Sequence, residues 1–291
     1  ETVTYHKDAQ KAVIRYVSTN GNQVLKTDEV TGKSGEAIAY STTSQITEFK
    51  KQGYKLVSDE FTAGGAKVYD YDTARDQVYT VTLSERVEPV NPDNPTPQPN
   101  TPVNPGQPDS PRWPGTVENL DNKESVSRTI HYVYEDGSKA KDDVVETLNF
   151  KRWSNVNLVT GHIDFQDWTT NDDTFDKVVS PTIAGYTADK SEIPAVSGVQ
   201  AKDQDRVETV TYRKDAQKAV IRYVSTNGNR VLTTDEVTGK SGEAIAYSTT
   251  SQITEFKKQG YNLVSDEFTS GGAKVYDYDT ARDQVYTVTL S

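Results

Sequence analysis

The sequence predicts an α+β protein built from small tandem domains, and three observations carry that expectation. Glu1–Ser84 recurs as Glu208–Ser291 with five differences, His6/Arg213, Gln23/Arg230, Lys26/Thr233, Lys55/Asn262 and Ala63/Ser270. A segment of 84 residues can hold one small core, and duplication at this fidelity suits a protein that gains avidity from repeated contacts better than it suits an enzyme. Ten of the 12 prolines fall between Pro89 and Pro114. Each copy also carries several runs of β-branched and aromatic residues punctuated by turn signals, against a single short helical pattern.

Within a copy, Ala12–Val17 reads as a strand, and Ser18-Thr19-Asn20-Gly21-Asn22 supplies the Asn-Gly turn that closes a hairpin. Gln23–Tyr40 should carry the return strand. Ser41–Gln45 offers N-cap hydroxyls, with Gln45 three residues after Thr42 as a capping box. Ile46 and Phe49 then share one helical face, and Gly53 before Tyr54 marks the helix stop. After Gly64-Gly65, Lys67–Tyr71 and Gln77–Leu83 read as strands. Hairpin, helix, strands is the order of a β-grasp (ubiquitin-like) domain, in which one helix packs on a small mixed sheet.

Between the copies, proline at roughly every third position suits polyproline II, so Pro89–Pro114 is expected to be a spacer of up to roughly 80 Å at about 3.1 Å per residue. The next segment keeps the punctuation of a copy. Arg128–Tyr134 with the turn Glu135–Ser138 mirrors the opening hairpin, and Val207–Tyr212 mirrors the closing strand. Its interior, Phe150–Val179, contains Trp153, Thr160–Phe165 and Trp168 and reads as an inserted hairpin in place of the helix. Only Arg213–Gln217 joins this sibling to the second copy, so the joint is expected to be stiff. The expected division is a tail strand of a preceding repeat over 1–10, a second-type domain over 11–84, a linker over 85–115, a first-type domain over 116–212 and a second-type domain over 213–291. The spacer and the short joint imply an elongated array of domains, and the chain is expected to be a monomer.

Composition removes several functions. The chain has no cysteine, which excludes disulfides, thiolate metal sites and a cysteine nucleophile, and no apolar run long enough to cross a bilayer. It also lacks methionine and so reads as a piece of something longer. Each copy carries 10 basic and 11 acidic residues, which leaves 12 basic and 21 acidic residues in 85–207 within a net charge of −11. That sign disfavours nucleic acid and anionic membranes as partners. His6 becomes Arg213 in the second copy, while His131 and His162 have no local triad or metal partners. Gly32-Lys33-Ser34 lacks the glycine a phosphate loop requires, because Thr27 stands there. Paired carboxylates such as Asp28-Glu29, Asp59-Glu60 and Asp142-Asp143 are abundant without a cleft to face, so no catalytic residue is assigned and no enzyme is expected. Asn171, Asp172, Asp173 and Asp176 offer oxygen ligands for calcium but lack the EF-hand spacing and glycine; a solvated acidic turn is the competing reading, and no other cofactor is implied.

Together, Arg128–Gly137 and Ser180-Pro181-Thr182-Ile183-Ala184-Gly185-Tyr186-Thr187-Ala188-Asp189-Lys190 resemble the mucus-binding (Mub, MucBP-like) repeats of Gram-positive surface adhesins. Residues 116–212 are similar to the first domain of such a repeat, and both copies to the second. The resemblance implies β-grasp domains in an extended, cell-wall-anchored array at the cell surface, adherence to mucin glycans or glycoproteins and, for some members, immunoglobulin binding. A structural stalk that projects a distal head is the alternative. Trp153 and Trp168 flank the inserted strands and are candidates to stack on sugar rings, with Asn155, Asn157 and His162 as polar partners, the competing reading being two core indoles. Candidate immunoglobulin contacts are the return strand from Val24 and Leu25 with the helix face at Thr47, Lys50 and Lys51. Their counterparts are Val231, Leu232, Thr254, Lys257 and Lys258.

Overall fold

The structure, a computed structural model, describes residues 1–291. In the first copy, β1 (Ala9–Ser18), β2 (Val24–Lys33), α1 (Thr43–Lys51), β3 (Tyr54–Asp59) and β4 (Gln77–Glu85) follow in that order. The sheet runs β2-β1-β4-β3. β1 is the pivot, antiparallel to β2 and parallel to β4 from Ala12 opposite Gln77 to Ser18 opposite Leu83. Alternate residues Ala12, Ile14 and Tyr16 of β1 and Val81 and Leu83 of β4 face Ile46 and Phe49 of α1, with Ile38, Phe61 and Tyr69 completing the core. Gly21 and Asn22 turn the hairpin at φ 69° and 54°, a region that glycine and asparagine tolerate.

Two local expectations are corrected. Thr42 does stand at the N-cap, but no capping box forms. Thr42 Oγ1 instead donates to Asp59 at 2.6 Å, and Gln45 accepts from Lys26 at 2.5 Å, so both side chains serve tertiary contacts. Lys67–Tyr71 is not a strand. Val68 makes one isolated bridge to Ala37, and the Tyr69 ring lies over Gly32, where a Cβ would meet it at 2.1 Å. The fourth strand is β3, directly after the helix, where the sequence predicts only the helix stop.

A half-buried network ties the hairpin to the loop that precedes α1: the Tyr16 and Tyr40 hydroxyls lie 2.8 Å apart, and Tyr40 donates to Asp28 at 2.6 Å. Burial, then the Asp28 and Tyr16 hydrogen bonds, push the Tyr40 phenol far above its ordinary range, and Tyr247 behaves alike.

Across the middle of the chain run β5 (Val87–Val90), β6 (Lys123–Tyr134), β7 (Lys139–Lys151), β8 (Ser154–Asn157), β9 (Ile163–Phe165), β10 (Val178–Val179), β11 (Tyr186–Ala188), β12 (Glu192–Ile193) and β13 (Arg206–Lys214). The second copy repeats the first as β14 (Ala216–Ser225), β15 (Arg230–Lys240), α2 (Thr250–Lys258), β16 (Leu263–Asp266) and β17 (Gln284–Leu290). The chain forms two compact units, one of Glu1–Glu124 with Asn149–Asn171, the other of Ser125–Leu148 with Asp172–Ser291.

In the first unit the expected polyproline spacer is a folded segment. β5 pairs with β8, which pairs with β9. Asn100 N–H donates to Trp113 O, Trp113 N–H to Thr101 O and Val103 N–H to Pro111 O. Val103, Trp113 and Leu120 pack on a cluster of Val90, Val117, Val156 and Leu158. Prolines spaced by two or more residues leave N–H donors between them, and Val103 and Trp113 supply the apolar area to bury. The inserted hairpin is present as β8–β9, and it pairs with β5 of the expected linker.

The second unit holds the sheet β11-β13-β6-β7, with β13 parallel to β6, and the short antiparallel pair β10-β12. Ile130, Tyr132, Val210 and Tyr212 form its core with Ile193. Arg128 is buried yet satisfied by Glu146 and by the carbonyls of Asp176 and Pro194. A single residue, Asp215, separates β13 from β14. Its N–H donates to Gly185 O at 2.9 Å, its carboxylate accepts from Thr187 at 2.5 Å, and its carbonyl accepts Ser241 N–H at 3.0 Å. Tyr278 lies against Gly185 so closely that a Cβ there would meet its ring at 2.1 Å.

Two predictions follow from duplicated positions. Gly53 and Gly260 both have φ +95°, but a Cβ at Gly53 would lie 2.9 Å from the Leu158 backbone, while Gly260 has open space. Gly53→Ala should therefore cost roughly 1–3 kcal/mol more than Gly260→Ala, read as a larger drop in melting temperature. Because the raised Tyr40 and Tyr247 pKa values favour the neutral phenol, their stabilisation is full below the unfolded value of about 10 and is lost as pH rises above it. Melting temperature should hold up to that pH and fall beyond it, less steeply in the Tyr40→Phe, Tyr247→Phe double variant.

Candidate functional site

The β8–β9 hairpin presents a polar and aromatic face. Ser154, Val156 and Leu158 are buried, so period-two alternation turns Trp153, Asn155 and Asn157 the other way. Asn155 pairs with Asp164 across the hairpin, and His162 Nε2 lies 3.2 Å from Asp164 Oδ1. Trp153 is 43% exposed. Trp153, Asn155 and His162 are thus brought to one face, with Asp164 added, a residue that sequence reasoning missed because its partner comes only with the register.

Asn157 has a different task. Its Oδ1 accepts the N–H groups of Val159 and Thr160, and its Nδ2 donates to Glu85 at 2.7 Å, which fixes the hairpin loop to the end of β4. Trp168 belongs to another cluster, where the Arg152 guanidinium lies 4.3 Å from its ring centre and 3.9 Å from that of Phe165. Arg152 is held in turn by the Asp121 carbonyl at 2.7 Å and carboxylate at 3.0 Å. Trp168 is thus tied to Arg152 and Phe165 rather than to the Asn155 and His162 face.

Asn171, Asp172, Asp173 and Asp176 do not converge. Asp172 and Asp173 accept from Thr174, and Asp176 offers its carbonyl to Arg128. No group of three or more acidic or histidine side chains could hold a metal ion.

In both copies the return strand is outermost in its sheet, β2 in one and β15 in the other. Val24 and Val231 are each 52% exposed, while Leu25 and Leu232 pack on the cores. On the helices, Lys50 and Lys257 face solvent, Lys51 and Lys258 pair with Glu48 and Glu255, and the Thr47 and Thr254 hydroxyls bond back to Thr43 and Thr250. The differing positions alter this surface. Lys26 bridges β2 to Gln45 on α1, whereas Thr233 stands at that place in the second copy and Arg230 reaches the Tyr261 hydroxyl at 3.3 Å.

Residues 10–85 and 217–291 match the family model described as a mucin binding domain, and residues 117–216 match a Muc B2-like domain. The chain belongs to the mucin-binding domain family. Among solved structures it is similar to Mub-RV, at 26% identity and a TM-score of 0.56 over 71% of this chain and 99% of that one. It is also similar to the type 2 repeat of the mucus binding protein MUB from Lactobacillus reuteri, at 29% identity and a TM-score of 0.47 over 71% of this chain and all of that one. The mucin-binding domain of Spr1345 from Streptococcus pneumoniae is 29% identical, with a TM-score of 0.30, over 32% of this chain and 92% of that one. Curated protein sequences contain no match. No helix is long and apolar enough to cross a membrane.

The two indoles should separate in mutagenesis. Trp168→Ala removes a ring packed against an anchored guanidinium and is expected to destabilise by about 1–3 kcal/mol, whereas Trp153→Ala should leave the melting temperature nearly unchanged. Differential scanning calorimetry of the two variants checks this.

Proposed function

We propose that this chain is the mucus-binding part of an extracellular bacterial surface adhesin and that it holds mucin glycans through the face of Trp153, Asn155, His162 and Asp164. The observation that carries the reading is the match of both copies to the mucin binding domain. Exposed indole beside acceptors and donors is the composition that stacks on and hydrogen-bonds to sugar rings. The two copies, each a β-grasp domain in this reading, raise avidity on a repetitive ligand such as mucin. A wall-anchored stalk is the rival role, and it predicts no binding by the chain itself.

A second reading concerns immunoglobulins, favoured by β2 and β15 standing outermost with half-exposed valines. An unpaired strand edge can accept a partner strand through backbone hydrogen bonds. In this reading both copies share specificity and differ in strength, because Lys26/Thr233 and Gln23/Arg230 lie in or beside the edge.

Surface plasmon resonance of the full chain over immobilised mucin tests the adhesin role. Binding is expected, with at least a tenfold loss after periodate oxidation of the glycans and a comparable loss in Trp153→Ala. Equal binding to intact and oxidised mucin would refute the glycan reading, and no binding to either would favour the stalk. Immunoglobulin G and free light chains on the same surface decide the second reading.

A further inference from the structure

At one end of the second unit's middle sheet the core-facing residues run out into a cleft. Tyr134 ends β6 and Tyr186 opens β11; both are half-buried, and their ring centres lie 4.7 Å apart. They line the cleft together with the turn residues Asp136 and Ser138, Lys214 of β13, and, from the second copy, Lys240 at the end of β15 and Glu243 just after it. The cleft encloses about 530 Å³, within the range of about 300–1,000 Å³ typical of small-molecule sites.

The electrostatics select among ligands. Lys214 pairs with Glu243 and Arg213 with Glu135, both at 3.6 Å, and Asp136 accepts from the N–H and hydroxyl of Ser138. Lys214, Lys240 and Arg213 balance Glu135, Asp136 and Glu243 in number. Paired and balanced charges offer an anion no net attraction and leave donors and acceptors in both senses. An uncharged ring rich in hydroxyls satisfies both kinds, and its C–H face suits the rings of Tyr134 and Tyr186.

The first copy repeats the charged residues. Lys7, Lys33 and Glu36 are the counterparts of Lys214, Lys240 and Glu243, and Lys7 pairs with Glu36 at 3.5 Å as Lys214 does with Glu243. We propose that the cleft between Tyr134, Tyr186 and Lys240 is a second saccharide site, specific for an uncharged hexose or N-acetylhexosamine residue. The inference rests on the adhesin reading and adds to it a site and a ligand class.

Saturation-transfer difference NMR on the full chain, with methyl β-galactoside, N-acetylgalactosamine, N-acetylglucosamine and sialic acid as probes, tests it. At least one neutral sugar should receive saturation, with an apparent Kd at least fivefold weaker in the Asp136→Ala, Lys240→Ala variant and unchanged in Lys33→Ala. Both altered residues of the first variant are exposed, and a retained melting temperature shows that loss of binding is local. Saturation of no neutral sugar, or equal binding by wild type and the double variant, would overturn the site. Preference for sialic acid would overturn the ligand class. The same samples are passed over mucin: mucin binding without a cleft-dependent sugar signal defeats this inference alone, whereas loss of mucin binding by the wild type defeats the adhesin reading.

Discussion

The second unit depends on how the chain passes from one sheet to the next through Asp215. A closing strand that pairs in parallel with the first strand of its own domain must leave in that strand's direction, and β13 does so into β14 without a loop. Asp215 can make this passage because all of its polar groups are used on elements of both domains. A one-residue connection with free polar groups would be a hinge; a tied one is a joint. Tyr278 against Gly185 adds contact at the same place, and the cleft lined by Tyr134 and Tyr186 takes residues from both sheets.

Near-identical copies in different surroundings show how much of a module's behaviour is context. In the first copy, Arg86 N–H donates to Gly53 O, and Leu158 closes over that glycine, whereas Gly260 stands open. Asn20 reaches Glu85 at 3.2 Å, and Glu85 in turn holds Asn157. The end of the first copy is thereby built into the β5-β8-β9 sheet. Within the copies the cores agree residue for residue, from Tyr16 and Phe49 to Tyr223 and Phe256.

Much of each copy was legible from sequence, because a hairpin with an Asn-Gly turn and a helix ending at Gly53 are local signals. Lys67–Tyr71 misled because its alternating valine and tyrosines match a strand, while Tyr69 is spent on filling the space over Gly32. β3 was missed because it shows little alternation, its Lys55–Ser58 being exposed throughout. The proline-rich stretch was misread for the opposite reason: its period is local, and the pairing that overrides it joins Val87–Val90 to residues more than sixty positions later. The same limit applies to the sites. Asn155 and His162 share a face because the short β8–β9 hairpin sets them in register, while Trp168 is drawn away by Arg152 and Asp121. Tyr134, Tyr186 and Lys240 come from three distant segments, and nothing in the sequence joins them.

The coupling of β13 to β14 through Asp215 is tested most directly by residual dipolar couplings measured on the backbone amides of residues 206–240 of the full chain. Couplings from β13, β14 and β15 are expected to fit a single alignment tensor. Two tensors of different magnitude, one for β13 and another for β14 and β15, would show a hinge at Asp215 and contradict it.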